Sequence, residues 1–187
     1  MTDYSMHFFK KISIIIIVVS LVIIDRLPDS EDNEILIKDV VIDNSKDIKI
    51  IEFNQEINFD SLILKAIKKG IPLVFKVTLK VVEVNDIWPT KTIIKKIGYY
   101  QIEYKALRKV YRIEDINGNK YEYKYIDEAI QKILKVEDFK FLFIDNHMNN
   151  ELWLNVALDR KKLPKPLQVN YFDRTWYMNS KKSIHKL

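Results

Sequence analysis

Two stretches of this chain alternate strictly. Leu73, Phe75, Val77, Leu79 and Val81 are interleaved with Lys76, Thr78 and Lys80, and Leu152, Leu154, Val156 and Leu158 with Trp153, Asn155 and Ala157. A period of two is the repeat of a pleated strand with one buried and one wet face, so neither stretch can be an amphipathic helix. Less regular runs of the same kind occur at Ile35 to Ile42, Ile48 to Phe53, Thr92 to Lys105, Val110 to Ile116, Lys120 to Tyr125, Phe139 to Ile144 and Gln168 to Tyr177, which predicts nine strands. The run from Leu73 to Asn85 would be about 43 Å long if continuous, beyond the usual strand, and is expected to bend between two sheets. Long antiparallel strands with few helices predict a mainly β fold, an antiparallel two-sheet β-sandwich, over residues 34–178.

Two segments break the alternation. Asp60 is placed to cap a helix whose apolar face is Ile63, Ala66 and Ile67, with Gly70 and Pro72 as its stop. Ile126, Ala129, Ile130, Ile133 and Leu134 recur at three and four residues and predict a second short helix. Both are expected to lie as lids on a sheet. Asn117-Gly118 between two β-rich runs predicts a hairpin with a type I′ turn, joining Tyr111 to Ile116 with Lys120 to Tyr125.

Ahead of this domain, Lys10 and Lys11 precede the apolar run Ile12 to Ile24, broken only by Ser13 and Ser20 and closed by Asp25 and Arg26. A basic flank before about a dozen apolar residues is read by the secretion machinery as an export signal, the charge staying in the cytoplasm. Residues 1–27 are therefore expected to be a signal peptide or an uncleaved membrane anchor. Cleavage needs small residues before the cut, and only Ser20 qualifies, which favours the anchor. The run alone would span about 20 Å as a helix against a hydrocarbon core of about 30 Å, so Met6 to Phe9 would have to join it. A buried core helix or strand is the competing reading. Residues 28–33, Pro-Asp-Ser-Glu-Asp-Asn, read as a short acidic linker, and 179–187 as a frayed basic tail.

The expected location is the inner membrane, single-pass through Ile12 to Ile24 with the domain in the periplasm, or the periplasm itself if the signal is removed. About 150 residues beyond the segment suffice for one core. The net charge of +5 comes from 31 basic residues, of which only Arg26, Arg108, Arg112, Arg160 and Arg174 are arginine. Nucleic-acid readers depend on bidentate Arg, so no nucleic-acid partner is expected. A mildly cationic surface near anionic lipid is the simpler reading. The chain contains no Cys, which removes disulfide and thiolate chemistry.

Residues that chemistry would demand are not gathered in the sequence. His7, His147 and His185 fall in three separate regions, none with an acidic neighbour whose spacing stands out from chance, and no metal site is expected. The acidic pairs Glu114-Asp115, Asp127-Glu128 and Glu137-Asp138 are adjacent, and strand neighbours point to opposite faces, so none can converge on a substrate by itself. None of the eight serines lies in a glycine-flanked elbow, and three glycines draw no phosphate-cradling loop. No catalytic, cofactor-binding or metal residue is assigned, and no cofactor is expected. Tyr99, Tyr100, Tyr104, Tyr111, Tyr121, Tyr123 and Tyr125, interleaved with Lys95, Lys96, Lys105, Lys120 and Lys124, form either a stacking platform or the ordinary dressing of a wet sheet face.

Three stretches carry a resemblance: Lys69-Gly70-Ile71-Pro72-Leu73, Tyr104-Lys105-Ala106-Leu107 running to Tyr111-Arg112-Ile113, and Leu163-Pro164-Lys165-Pro166-Leu167-Gln168-Val169-Asn170. Together they resemble a proteobacterial exported family called domain of unknown function 4390, over about Glu34 to Trp176. The resemblance implies an envelope domain behind an export signal, encoded near a membrane sensor kinase, with no established activity or catalytic residue. The chain departs from that family in its Ile and Lys excess and in lacking an Ala-rich cleavage region. Pro164 and Pro166 are expected to hold the chain extended before a final strand. The expected role is a non-catalytic binding or accessory module with an envelope protein partner such as a sensor kinase. The alternatives are a carrier of a lipid or other apolar ligand in a sandwich cavity, and an enzyme whose distant acids, Tyr and Lys converge in a cleft.

Overall fold

A computed structural model describes residues 34–43, 47–84, 89–144, 149–169 and 174–187. The expected export segment Ile12 to Ile24, His7 and His147 lie outside them, and among the described residues no helix is long and apolar enough to cross a membrane. The strands are β1 (Glu34–Asp43), β2 (Ile48–Ile57), β3 (Leu73–Glu83), β4 (Lys91–Lys105), β5 (Val110–Glu114), β6 (Lys120–Tyr123), β7 (Lys135–Leu142), β8 (Asn150–Leu158), β9 (Asn179–Ser180) and β10 (Ser183–Lys186). Three short helices accompany them: α1 (Ser61–Lys68), α2 (Ile126–Ile133) and α3 (Lys165–Val169).

The strands join in one sheet, ordered β6-β5-β4-β3-β8-β9-β1-β2-β7, with β10 also paired to β8. This corrects the expected pair of separate sheets. The sheet curls into a half-barrel, so that its two wings, β6 to β8 and β1 to β7, face each other across the core. Bulges supply the bending. Register slips in β1 between Lys38 and Val41, in β2–β7 between Ile51 and Phe53, and in β3–β4 between Val81 and Val82. Asp39 (φ 50°) and Asp138 (φ 57°) take the left-handed conformation at the first two, and the Asp39 carboxylate accepts from Asn54 Nδ2 at 3.0 Å. β3 itself does not cross between sheets. It stays in the centre, paired to β4 from Leu73 to Glu83 and to β8 from Phe75 to Glu83.

The joint between the wings is slender. Asn179 pairs with Ala157 of β8 on one side and, in parallel, with Glu34 of β1 on the other. Ser180 reinforces it, its Oγ accepting from the Val156 N–H at 2.9 Å and its carbonyl from Asn155 Nδ2 at 2.7 Å. Residues 179–187 are thus not a frayed tail, because β9 and β10 are ladder strands of the sheet.

The last predicted strand, Gln168 to Tyr177, is also corrected. Lys165–Val169 is helical, with the Leu167 N–H bonded to the Pro164 carbonyl at 2.9 Å, and Arg174–Trp176 is a 3₁₀ turn. Pro166 sits in the first turn of α3, where a missing N–H costs nothing, so the two prolines start a helix rather than hold the chain extended.

Both predicted helices are present. Asp60 caps α1 by accepting from the N–H groups of Leu62 and Ile63, each at 2.8 Å, and Ile63, Ala66 and Ile67 are buried. α2 buries Ala129 and Ile133 between β4, β5, β6 and β7. The Asn117-Gly118 hairpin forms with a different turn. Asp115 and Asn119 close the loop (N–H to carbonyl, 2.9 Å), and only Gly118 (φ 84°) is left-handed, so three residues turn the chain where the type I′ expectation had two.

Candidate functional site

Period two decides what each face carries. On the inner face Phe75, Val77, Leu79, Leu152, Leu154 and Val156 have no exposed surface, and the opposing wing adds Ile51 and Phe53. Phe75 stacks on Tyr100 (centroids 5.2 Å, 12°) and meets Phe59 edge-on at 6.3 Å. Tyr100 reaches the other wing, where its hydroxyl lies 2.8 Å from Gln55 Oε1 and 2.6 Å from Gln55 Nε2, while Nε2 also donates to the Ile133 carbonyl at 2.8 Å. Burial pushes the Tyr100 phenol far above its ordinary pKa, against the smaller lowering effect of Gln55, so it stays a neutral donor.

The wings approach closely at Gly98. A Cβ there would stand 2.6 Å from Ile116 Cγ1 and Cδ1 and 2.9 Å from Phe139 Cε2. The loop of the β5–β6 hairpin and strand β7 therefore pack directly on the β4 backbone. Asn117 Nδ2 donates to the Glu137 carbonyl at 3.3 Å, and Lys96 Nζ bonds the Lys140 carbonyl. Both contacts engage β7 from the opposite wing.

Beside this seam, under α2, lies a cleft of about 20 Å³ lined by Tyr100, Ile113, Asp115, Lys132, Val136 and Glu137 among others. Its polar groups are committed to one another. Lys132 Nζ lies 2.9 Å from Glu137 Oε2, Lys135 Nζ 2.7 Å from Oε1, and Lys132 also stands 4.8 Å from the Tyr121 ring centroid. The Lys135 and then the Lys132 hydrogen bonds pull the Glu137 carboxyl down from 4.5 to about 2. The bond to Glu137 raises Lys132 against the opposing effect of burial. Asp115 is partly buried, which would raise it, yet hydrogen bonds from Asn119, Asn117 and Tyr121 hold it below its usual value. General acid–base work needs shifts towards neutrality, and these run the other way.

The Glu137 shift has a pH consequence. Its folded pKa is depressed, so its stabilising share is complete above pH 4.5 and disappears as pH falls towards 2. The side chain is 36% exposed, and screening keeps that share to about 1 kcal/mol or less. Glu137→Gln is expected to flatten the acid limb of thermal melts between about pH 6 and about pH 2.5. An identical limb in the variant would contradict the ion-pair assignment.

The other singled-out residues fall apart as adjacency requires. Glu114 points outward towards Lys120 (3.9 Å), Asp127 and Glu128 occupy the first turn of α2, and Asp138 sits exposed on the β7 bulge. His185 packs beside Ser183 (Oγ to Nε2, 2.7 Å), and burial lowers its pKa. Among the described residues no three His, Asp or Glu side chains come together as metal ligands. The tyrosine cluster divides by face. Tyr100, Tyr104, Tyr111, Tyr121 and Tyr123 turn inward beneath α2, Tyr104 and Tyr111 in contact at 4.9 Å, whereas Tyr99 is outward and 46% exposed. A single tyrosine platform does not form.

What sequence reasoning missed lies outside. On the outer face of the β1-β2-β7 wing, Ile48 and Leu142 are cross-strand partners, exposed at 53% and 63%, and Ile144 beyond them is exposed at 67%. The sequence pattern assigns these residues only to strands. Their even positions, opposite in phase to buried Ile51, Phe53, Phe141 and Phe143, were the available signal.

The family model described as a domain of unknown function (DUF4390) matches residues 32–185. The chain belongs to that family. The match runs from β1 into β10, ending at His185, so the C-terminal strands belong to the DUF4390 domain. No curated protein and no solved structure matches the chain.

Proposed function

We propose that this DUF4390 chain is a non-catalytic binding or accessory module of the cell envelope, tethered to the inner membrane through Ile12 to Ile24, whose partner is an envelope protein such as a sensor kinase. The observation that carries this reading is the apolar patch of Ile48, Leu142 and Ile144 on an outer sheet face. Aliphatic side chains standing together in water mark an interaction surface, and patches of this kind on monomers are commonly functional. The titratable groups under α2 are held in their charged forms by one another, which favours a structural part for them over a catalytic one. A carrier would need a continuous apolar tunnel; the inner face is instead filled with side chains, which favours the adaptor.

A photo-crosslinking residue at Leu142 in the full chain tests the reading. A single inner-membrane protein is expected to be trapped, and Ile48→Glu should reduce its yield by about tenfold or more, since losing an important interface residue costs upwards of about 1 kcal/mol. Failure to trap any envelope protein, in intact cells and in gently solubilised membranes alike, overturns it.

A further inference from the structure

The outer face of the other wing has a different chemistry. Ile184, Trp153, Lys80 and Lys95 form one row across β10, β8, β3 and β4, and Ala157, Lys76 and Tyr99 form another. Ile97 stands between these rows, partnered by Thr78 and 42% exposed. Lys186 projects from β10, and Lys182 lies 3.3 Å from the Trp153 ring centroid. Among the described residues none of Lys76, Lys80, Lys95, Lys182 and Lys186 has a carboxylate partner. Glu151, on the same face, accepts from Trp153 Nε1 at 2.8 Å. The adjoining β4-β5-β6 corner contrasts with it, because there Arg108 and Arg112 neutralise Glu122, Lys105 pairs with Glu103 and Lys120 with Glu114.

We infer that the outer face of β10-β8-β3-β4 docks on an anionic phospholipid surface. Three features select lipid. The cations are lysines, point charges suited to a fluid layer of phosphates rather than to bidentate recognition. Between them stand exposed Ile97, Ile184 and Tyr99 (42%, 48% and 46%), which match the apolar boundary beneath headgroups better than they match nucleic-acid bases. Glu34, the first residue of β1, also stands on this face: it pairs with Asn179 in β9, itself the partner of Ala157, and its carboxylate lies 3.2 Å from Lys181, next to Lys182. The residues between Ile24 and Glu34 reach at most about 30 Å, so a tether through the apolar run would hold the lysines within range of the headgroups and raise their effective concentration. The inference rests on that tether from the proposed function.

The chain has no cysteine, so a single fluorophore can be placed at will. Ile97→Cys, labelled in the full chain and reconstituted into vesicles of phosphatidylcholine alone or mixed equally with phosphatidylglycerol, reports docking through acrylamide quenching. Quenching at position 97 is expected to fall severalfold only on the anionic vesicles. A label at Leu107, which is fully exposed in the β4–β5 turn, should not change. Each lysine near a charged surface is worth about fivefold in association, so Lys76→Gln/Lys80→Gln/Lys95→Gln should restore the quenching seen on neutral vesicles, with an unchanged melting temperature. Equal quenching on both vesicles, or protection by soluble phosphate on neutral ones, overturns the lipid assignment. Flotation with neutral vesicles reads the tether separately, so loss of the tether and loss of docking are distinguishable.

Discussion

Phe75→Ala is expected to remove about 3–5 kcal/mol of stability, a large part of what a domain of this size possesses. The side chain has no exposed surface and lies near the start of β3, a strand with ladders on both sides. Its removal deletes the stack on Tyr100 and the edge contact with Phe59, and the flanking ladders prevent collapse into the void. Urea unfolding should show a lower midpoint with an unchanged slope. A loss below about 1 kcal/mol would mean that the inner face is loosely filled, and would revive the carrier reading.

Gly98→Val should cost about 1–3 kcal/mol, and it should do so by separating the wings rather than by unfolding β4. The new Cβ would start 2.6 Å from Ile116 and 2.9 Å from Phe139, so the hairpin loop and β7 must retreat together. Hydrogen exchange should therefore accelerate selectively in β7 and α2, with β3 and β8 still protected. Even acceleration across the sheet would show that the seam is not a separable contact. Co-substitution of Ile116→Ala should recover part of the loss, since the two sites share one volume.

Strand positions were legible because one face of each strand is dry. Leu73 to Val81 and Leu152 to Leu158 read unambiguously, and so did α1 and α2, since the Asp60 cap and the Ile126 to Leu134 spacing act locally. Single-sheet connectivity was not legible. It depends on two left-handed aspartates, Asp39 and Asp138, and on a two-residue strand, Asn179–Ser180, too short to show a period. The proline pair at the start of α3 misled because Pro fits a helix start as well as an extended segment. The outer surfaces were hidden for another reason. Lys80, Trp153 and Ile184 are far apart in sequence and meet only through register, so the lysines looked like scattered composition until the ladders set them in rows.

Asn179 and Ser180 also set an order of events. A ribosome delivers β1 to β8 first, and β1 can then pair only with β2 until the residues that bridge it to β8 have appeared. The nascent polypeptide must therefore carry two unjoined strand edges, on β1 and on β8, until Asn179 and Ser180 have emerged to close the gap between them.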